Sequence, residues 1–263
     1  MAPVLTVADY LAAPAAPADL RVAYGDYADQ HIDLYLPVQS KLHPLIILIH
    51  GGCWQERFGL APLEPSAAAL RDLGFAVANI EYRRLGGAGG WPQTFTDVAA
   101  AADHLRTLAA QHPFDLTRVH TVGHSAGGHL ALWLAARAKL PPACPLYQAD
   151  PLPIQAVIAL AALGDLPAAA ERQLCGGVVP DLVAHDATNY AWASPAALLP
   201  LGVPHTHLIG ADDTIVPPEY VAAFVAAAQA AGDPATLIEL PATGHFELTT
   251  PGTAAWAALV GCL

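Results

Sequence analysis

The chain has 263 residues, of which 54% are apolar and only 13% charged, with a formal net charge of -12. Such a chain is too apolar to be intrinsically disordered and long enough to bury a large core. Its acidic balance argues against nucleic acid or an anionic membrane as partner, since both call for clustered Lys and Arg.

The first twenty residues, MAPVLTVADYLAAPAAPADL, contain no Lys or Arg and no unbroken apolar core. They do not read as a secretory leader, and they predict an arm over the surface. No run reads as a transmembrane span, so a cytoplasmic protein is expected. Arg21 to Gly25 and Gln30 to Pro37 predict two short strands; HIDLYLP alternates as an antiparallel edge hairpin should. LIILI at 45–49 is apolar at every position, which suits a strand covered on both faces. Helix is predicted over 64–73, 94–111, 126–139, 219–231 and 253–260. Strand is predicted over 75–81, 119–123, 154–163, 205–210 and 236–240. Strict alternation of strand and helix implies a mostly parallel central sheet with helices on both faces. The stretch 164–204 breaks that rhythm and predicts a short helical cap inserted over the carboxyl edge of the sheet. No composition shift or repeat marks a second domain, so residues 1–263 read as one.

In a doubly wound sheet, ligands bind beyond the carboxyl ends of the strands. Four predicted strands end in residues that fit one reaction. Gly123-His124-Ser125-Ala126-Gly127 is a G-x-S-x-G between strand and helix, a turn that lifts a serine hydroxyl clear of the backbone. A bare G-x-S-x-G arises by chance in a Gly- and Ala-rich chain, and the strand–turn–helix setting is what makes Ser125 a candidate nucleophile. His50-Gly51-Gly52-Cys53-Trp54 follows LIILI directly. A glycine loop there lets backbone N–H groups of Gly52 and Cys53, with that of Ala126, face an oxyanion. Cys53 has no base-bearing motif of its own and is not read as a nucleophile. Asp212 and Asp213 end the strand at 205–210, and either qualifies as the acid that orients a base. His245, in Gly244-His245-Phe246 after the last strand, is the candidate base.

Four cysteines, Cys53, Cys144, Cys175 and Cys262, contain no CxxC and read as free thiols, with a Cys144–Cys175 pair as the alternative. The twelve histidines contain no HExxH; His205 and His207 share a strand face without making a metal site. No cofactor or metal is expected.

Taken together, HGGCW, GHSAGG followed by HLAL, GADDTIVP and TGHF resemble the α/β-hydrolase superfamily, in its esterase and kynurenine formamidase-like branch with an H-G-G-x-W oxyanion motif. The resemblance runs from about Arg21 to Leu263. It implies an α/β-hydrolase fold and the chain order Ser125, Asp213, His245 for the triad. It selects Asp213 over Asp212, because the family acid precedes x-x-V-P. It has His50 brace the oxyanion loop and Trp54 line the pocket, where His124 and Trp192 are further candidates. The expected activity is hydrolysis of small carboxylic esters through an acyl-enzyme, rising through neutral pH as the base loses its proton. Arylformamidase activity is the alternative, and an inactive binding protein on the same fold is a rival. The expected partner is a small ester or amide, and the expected assembly a monomer or homodimer.

Overall fold

The computed structural model describes residues 4–39 and 41–263. Eight strands form one sheet: β1 (Leu20–Ala23), β2 (His31–Tyr35), β3 (His43–Ile49), β4 (Ala76–Ile80), β5 (Phe114–His124), β6 (Ala156–Leu160), β7 (His205–Gly210) and β8 (Ala235–Leu240). Their spatial order is β1-β2-β4-β3-β5-β6-β7-β8. β2 pairs antiparallel with both β1 and β4, and every later pairing is parallel. Leu45 to Ile49 of β3 are at most 2% exposed, as the unbroken apolar run requires of a strand covered on both faces.

Helices fill the crossovers: α1 (Val7–Leu11), α2 (Glu64–Asp72), α3 (Gln93–Leu108), α4 (Ala126–Ala136), α5 (Leu166–Glu171), α6 (Val179–Leu182), α7 (Ala187–Ala193), α8 (Pro218–Ala230) and α9 (Ala254–Val260). α4 packs on β3, β5 and β6, and α8 on β7 and β8. The α4 sequence, AGGHLALWLAA, has no polar face; ten of its residues are buried, as expected for a helix enclosed on all sides. The stretch between β6 and β7 holds α5, α6 and α7 joined by short 3-10 turns.

Two boundaries differ from the sequence reading for clear reasons. β5 starts at Phe114, five residues before the apolar run at Val119, because His43 and Pro44 of β3 pair with Phe114 and Asp115 across a register shift. Backbone pairing, not hydrophobicity, recruits those polar residues. The N-terminal arm contains α1, closed by a Thr6–Asp9 capping box, and Tyr10 on it is buried.

The chain enters the parallel sheet at β3, steps to β4 on one side, then crosses to β5 on the other. The carboxyl ends of β3 and β5 therefore flank the switch point where such sheets carry their ligand sites. The HGGCW loop follows β3, and Ser125 follows β5.

Candidate active site

Ser125 lies between β5 and α4 with φ 56° and ψ -119°. A serine in that left-handed region is strained, and such strain persists only where the surroundings over-determine it. Here they do. The Ser125 N–H donates to the Leu160 carbonyl at 2.7 Å, and its own carbonyl accepts from His129 N–H at 3.1 Å. The glycines allow the path. A Cβ at Gly127 would lie 2.2 Å from the Ile49 carbonyl oxygen, and one at Gly123 would lie 2.2 Å from that of Gly127. At Gly51 a Cβ would meet the His124 carbonyl at 2.7 Å and the Ser125 Cβ at 3.0 Å. The loop after β3 is thus pressed directly against the serine turn.

That loop runs through three successive positive φ values: 106° at Gly52, 54° at Cys53 and 55° at Trp54. Among the described residues, the N–H groups of Gly52, Cys53 and Ala126 donate to no protein acceptor. Ala126 opens α4, so its free N–H also carries the positive end of the helix dipole. The loop is braced from below. His50 Nε2 meets Glu81 Oε1 at 2.8 Å, Tyr82 Oη donates to the His50 carbonyl at 2.9 Å, and Leu60 N–H donates to Glu81 Oε2 at 3.0 Å. Arg84 pairs with the same Glu81 carboxylate. Burial first, and then the Arg84 charge, push the His50 pKa down to about 3. His50 is a strut beneath the loop, its two ring nitrogens each 2.8 Å from an acceptor, the Gly51 carbonyl and the Glu81 carboxylate.

Asp213 and His245 meet as expected from their strand ends. His245 Nδ1–H donates to Asp213 Oδ2 at 2.6 Å, and Asp213 Oδ1 accepts from the N–H groups of Ile215 and Val216 at 2.8 and 2.9 Å. Asp213 is 5% exposed, whereas Asp212 faces solvent. Either aspartate was open on position alone; Asp213 is the one that hydrogen-bonds His245. The His245 ring lies 4.5 Å from that of His124, the neighbour of Ser125, so the histidine loop and the serine turn share one corner. Fixing Nδ1 by the carboxylate leaves Nε2 as the basic nitrogen. Neither Ser125 Oγ nor His245 Nε2 is among the sealed, unpartnered polar atoms.

Two expected pocket residues are elsewhere. Trp54 is fully buried, so it cannot line a pocket; its Nε1–H donates to His129 Nδ1 at 3.2 Å, and His129 Nε2–H donates to the Ala193 carbonyl at 2.9 Å. The large indole fills core space under the loop. His124 is 2% exposed, and its Nε2–H donates to the His245 carbonyl at 3.0 Å, which turns it toward the histidine loop and away from solvent. Trp192 is half-buried and stacks on Trp91. The reading of four free thiols and its Cys144–Cys175 alternative are both overturned. Cys53 and Cys175 form a disulfide with Cα atoms 5.4 Å apart, while Cys144 and Cys262 are free. A spacing of 122 residues left no local signal for that pair.

The sequence reading missed three residues. Glu81 is a carboxylate at the end of the apolar strand β4, a position that could have drawn attention to it. His129 is the one basic residue in α4. Tyr10, stacked on Phe246 with centroids 4.9 Å apart, sits in an arm that no periodicity ties to the site. A groove of about 590 Å³ lies beside the HGGCW loop, walled by Glu56 and Arg57 on one side and by Val178 and Asp181 of the inserted segment on the other; it does not contain Ser125.

Residues 32–227 match the BD-FAE family. The chain belongs to that family. Relatives include kynurenine formamidase of Salmo salar, 27% identical over 43% of this chain and 36% of its own length. Isoprenylcysteine alpha-carbonyl methylesterase of Arabidopsis thaliana is 29% identical over 42% of this chain and 26% of its own length. The chain thus matches well under half the length of these relatives. Among solved structures, esterase B from Lactobacillus rhamnosis superposes with a TM-score of 0.80 at 20% identity, over 96% of this chain and 87% of that one. A carbohydrate esterase from gut microbiota superposes with a TM-score of 0.77 at 22% identity, over 95% and 97%. The fold of this BD-FAE member is that of the α/β-hydrolases. No helix among the described residues is long and apolar enough to cross a membrane.

Proposed function

We propose that the protein is a serine hydrolase that cleaves small carboxylic esters through an acyl-enzyme. The observation that carries this reading is the 2.6 Å Asp213–His245 hydrogen bond, with the His245 ring 4.5 Å from that of His124, the neighbour of Ser125 in its strained left-handed turn. In the proposed cycle, His245 Nε2 takes the proton from Ser125 as its oxygen attacks the ester carbonyl. Asp213 holds the imidazole and stabilises its charged form. The unused N–H groups of Gly52, Cys53 and Ala126 receive the oxyanion. His245 then returns the proton to the leaving alcohol, and water repeats the sequence on the acyl-enzyme. The residues of this set lie in one chain, so a monomer and a homodimer would each be complete.

Esterase names among the superposed structures and the methylesterase among the relatives support an ester substrate. The kynurenine formamidase match favours a second reading, hydrolysis of an N-formyl aryl amine. The ratio of kcat/KM for p-nitrophenyl acetate and N-formylkynurenine separates the two. A fluorophosphonate should label wild type and not Ser125→Ala; labelling of both, or of neither, overturns the serine mechanism. A half-buried cystine weighs against the cytoplasmic address expected from the sequence, because cytosolic thiol buffers hold such pairs reduced.

A further inference from the structure

We propose that the Cys53–Cys175 disulfide positions the Cys53 N–H toward the oxyanion, so that Cys175 is a positioning residue and hydrolysis slows on reduction. This rests on the serine-hydrolase reading of the site.

The carbonyls on either side of Cys53 are tied down. The Gly52 carbonyl accepts from Gln55 N–H at 3.0 Å, and the Trp54 carbonyl accepts from Leu85 N–H at 2.7 Å. The Trp54 side chain is held by His129. Cys53 has its N–H in the rigid peptide plane of the Gly52 carbonyl, but among the described residues no hydrogen bond holds its own carbonyl or the Trp54 N–H. Yet it holds a left-handed φ of 54°, which a non-glycine residue keeps only under external constraint. Beyond the Gly52–Gln55 hydrogen bond, the tie that holds the Cys53 side of this turn is the bond from its sulfur to Cys175. Cys175 lies in the inserted segment between α5 and α6, itself at φ 58° and flanked by Gln173 at 52° and Gly176 at 69°. Two strained loops, one bearing a candidate oxyanion donor and one from the cap, are therefore joined sulfur to sulfur. Both cysteines are half-buried, so a small reductant can reach the bond.

The redox step balances with a dithiol as reductant. One thiolate of the dithiol attacks a cystine sulfur, the S–S bond breaks, and a mixed disulfide forms. The second thiolate closes a ring and releases the remaining protein sulfur. Two electrons pass to the protein, the dithiol becomes a cyclic disulfide, and its two protons end on Cys53 and Cys175. With the tie gone, Cys53 relaxes toward an unstrained φ and its N–H swings away from the oxyanion.

The test compares wild type, Cys175→Ser, Cys175→Ala and Ser125→Ala on p-nitrophenyl acetate, with and without dithiothreitol. Reduction of wild type should lower kcat about tenfold, part of the hundredfold or more that loss of a whole oxyanion donor costs. KM should change less than threefold, and oxidised glutathione should restore kcat. Both Cys175 variants should sit at the reduced value and ignore the reductant. A trifluoromethyl ketone, which mimics the tetrahedral oxyanion, should lose affinity in parallel with kcat. A Cys144→Ala/Cys262→Ser variant, which keeps the disulfide, should respond like wild type. Circular dichroism at the assay temperature confirms that each variant is folded; if the Cys175 variants unfold, reversible reduction of folded wild type decides alone. An unchanged kcat on full reduction overturns the proposal, as does a rise in KM with kcat intact, which would mark the disulfide as a cap fastener. If Ser125→Ala is inactive while reduction has no effect, only the positioning role falls. If Ser125→Ala keeps its activity, or wild type turns over no ester, the hydrolase reading falls and takes this one with it.

Discussion

Asp213 shows how neighbouring residues of one type divide their work. Its carboxylate is buried and has both oxygens engaged, one by His245 and one by two backbone N–H groups, whereas Asp212 is in solvent. Asp213→Asn should keep the fold but offer His245 an amide that can no longer stabilise the imidazolium, lowering kcat by about a hundredfold or more. Asp212→Asn should change kcat less than about twofold, as surface substitutions away from a site do. Steady-state kinetics on an activated ester checks both. Glu81 is the second residue whose loss should be felt. Removing it leaves the buried Arg84 guanidinium facing His50 with only the part-exposed Asp29, at 3.3 Å, as a carboxylate partner. Glu81→Ala should cost about 3–5 kcal/mol, the range for breaking a buried ion pair by deleting one partner. Urea denaturation measures that loss, and kcat should fall with it as the loop above His50 loosens.

At the scale of elements, the turn from β5 into α4 is set by backbone crowding. Gly127 faces two carbonyl oxygens, those of Ile49 and His50, at 2.2 and 2.4 Å from where a Cβ would be. Neither oxygen can retreat, because both belong to the end of the central strand β3 and the loop it feeds. Gly127→Ala should therefore destabilise by about 3 kcal/mol or more, beyond the usual range for a single small substitution. A fall in Tm by differential scanning calorimetry checks this; an unchanged Tm would mean that the turn is softer than its contacts suggest. Most elements here were legible because burial writes a pattern. LIILI announces a doubly covered strand, and β7 at 205–210 matches its sequence reading residue for residue. Extension of β5 back to Phe114 was not legible, since Phe114 and Asp115 pair with β3 across a register shift that leaves 116–118 unpaired with it and without a hydrophobic period. The short helix α1 was hidden for a related reason. Tyr10 alone anchors it, and one aromatic makes no periodicity.

For the molecule as a whole, buried histidines set the response to acid. Burial, with the charge of His205, pushes His207 down to about 3; burial alone takes His129 to about 4. In the unfolded chain each returns to about 6.5. The unfolded state therefore binds more protons once the pH falls below 6.5, and stability is lost as pH decreases through that window. Each such group contributes up to about 1.4 kcal/mol per pH unit between its unfolded and folded values. The two together approach about 3 kcal/mol per unit between pH 6 and 4, a large share of an ordinary domain's stability. Tm should be nearly flat above about pH 7.5 and drop steeply below 6. His207→Gln should make the drop shallower by up to one histidine's share. A Tm independent of pH down to 4.5 would mean that these rings are charged or solvated in the folded protein.

The amino-acid order alone determined the alternation of strand and helix, the serine turn, the glycine loop and the strand ends where acid and base would stand. Each of these is local: a hydrophobic period, or a few residues whose sterics admit one backbone path. The three-dimensional arrangement decided the rest. It paired Asp213 rather than Asp212 with His245, placed Trp54 in the core, turned His124 toward the histidine loop and joined Cys53 to Cys175. Those outcomes depend on which groups meet after the chain crosses the sheet several times, and a contact between residues more than a hundred positions apart leaves no mark on the spacing of either.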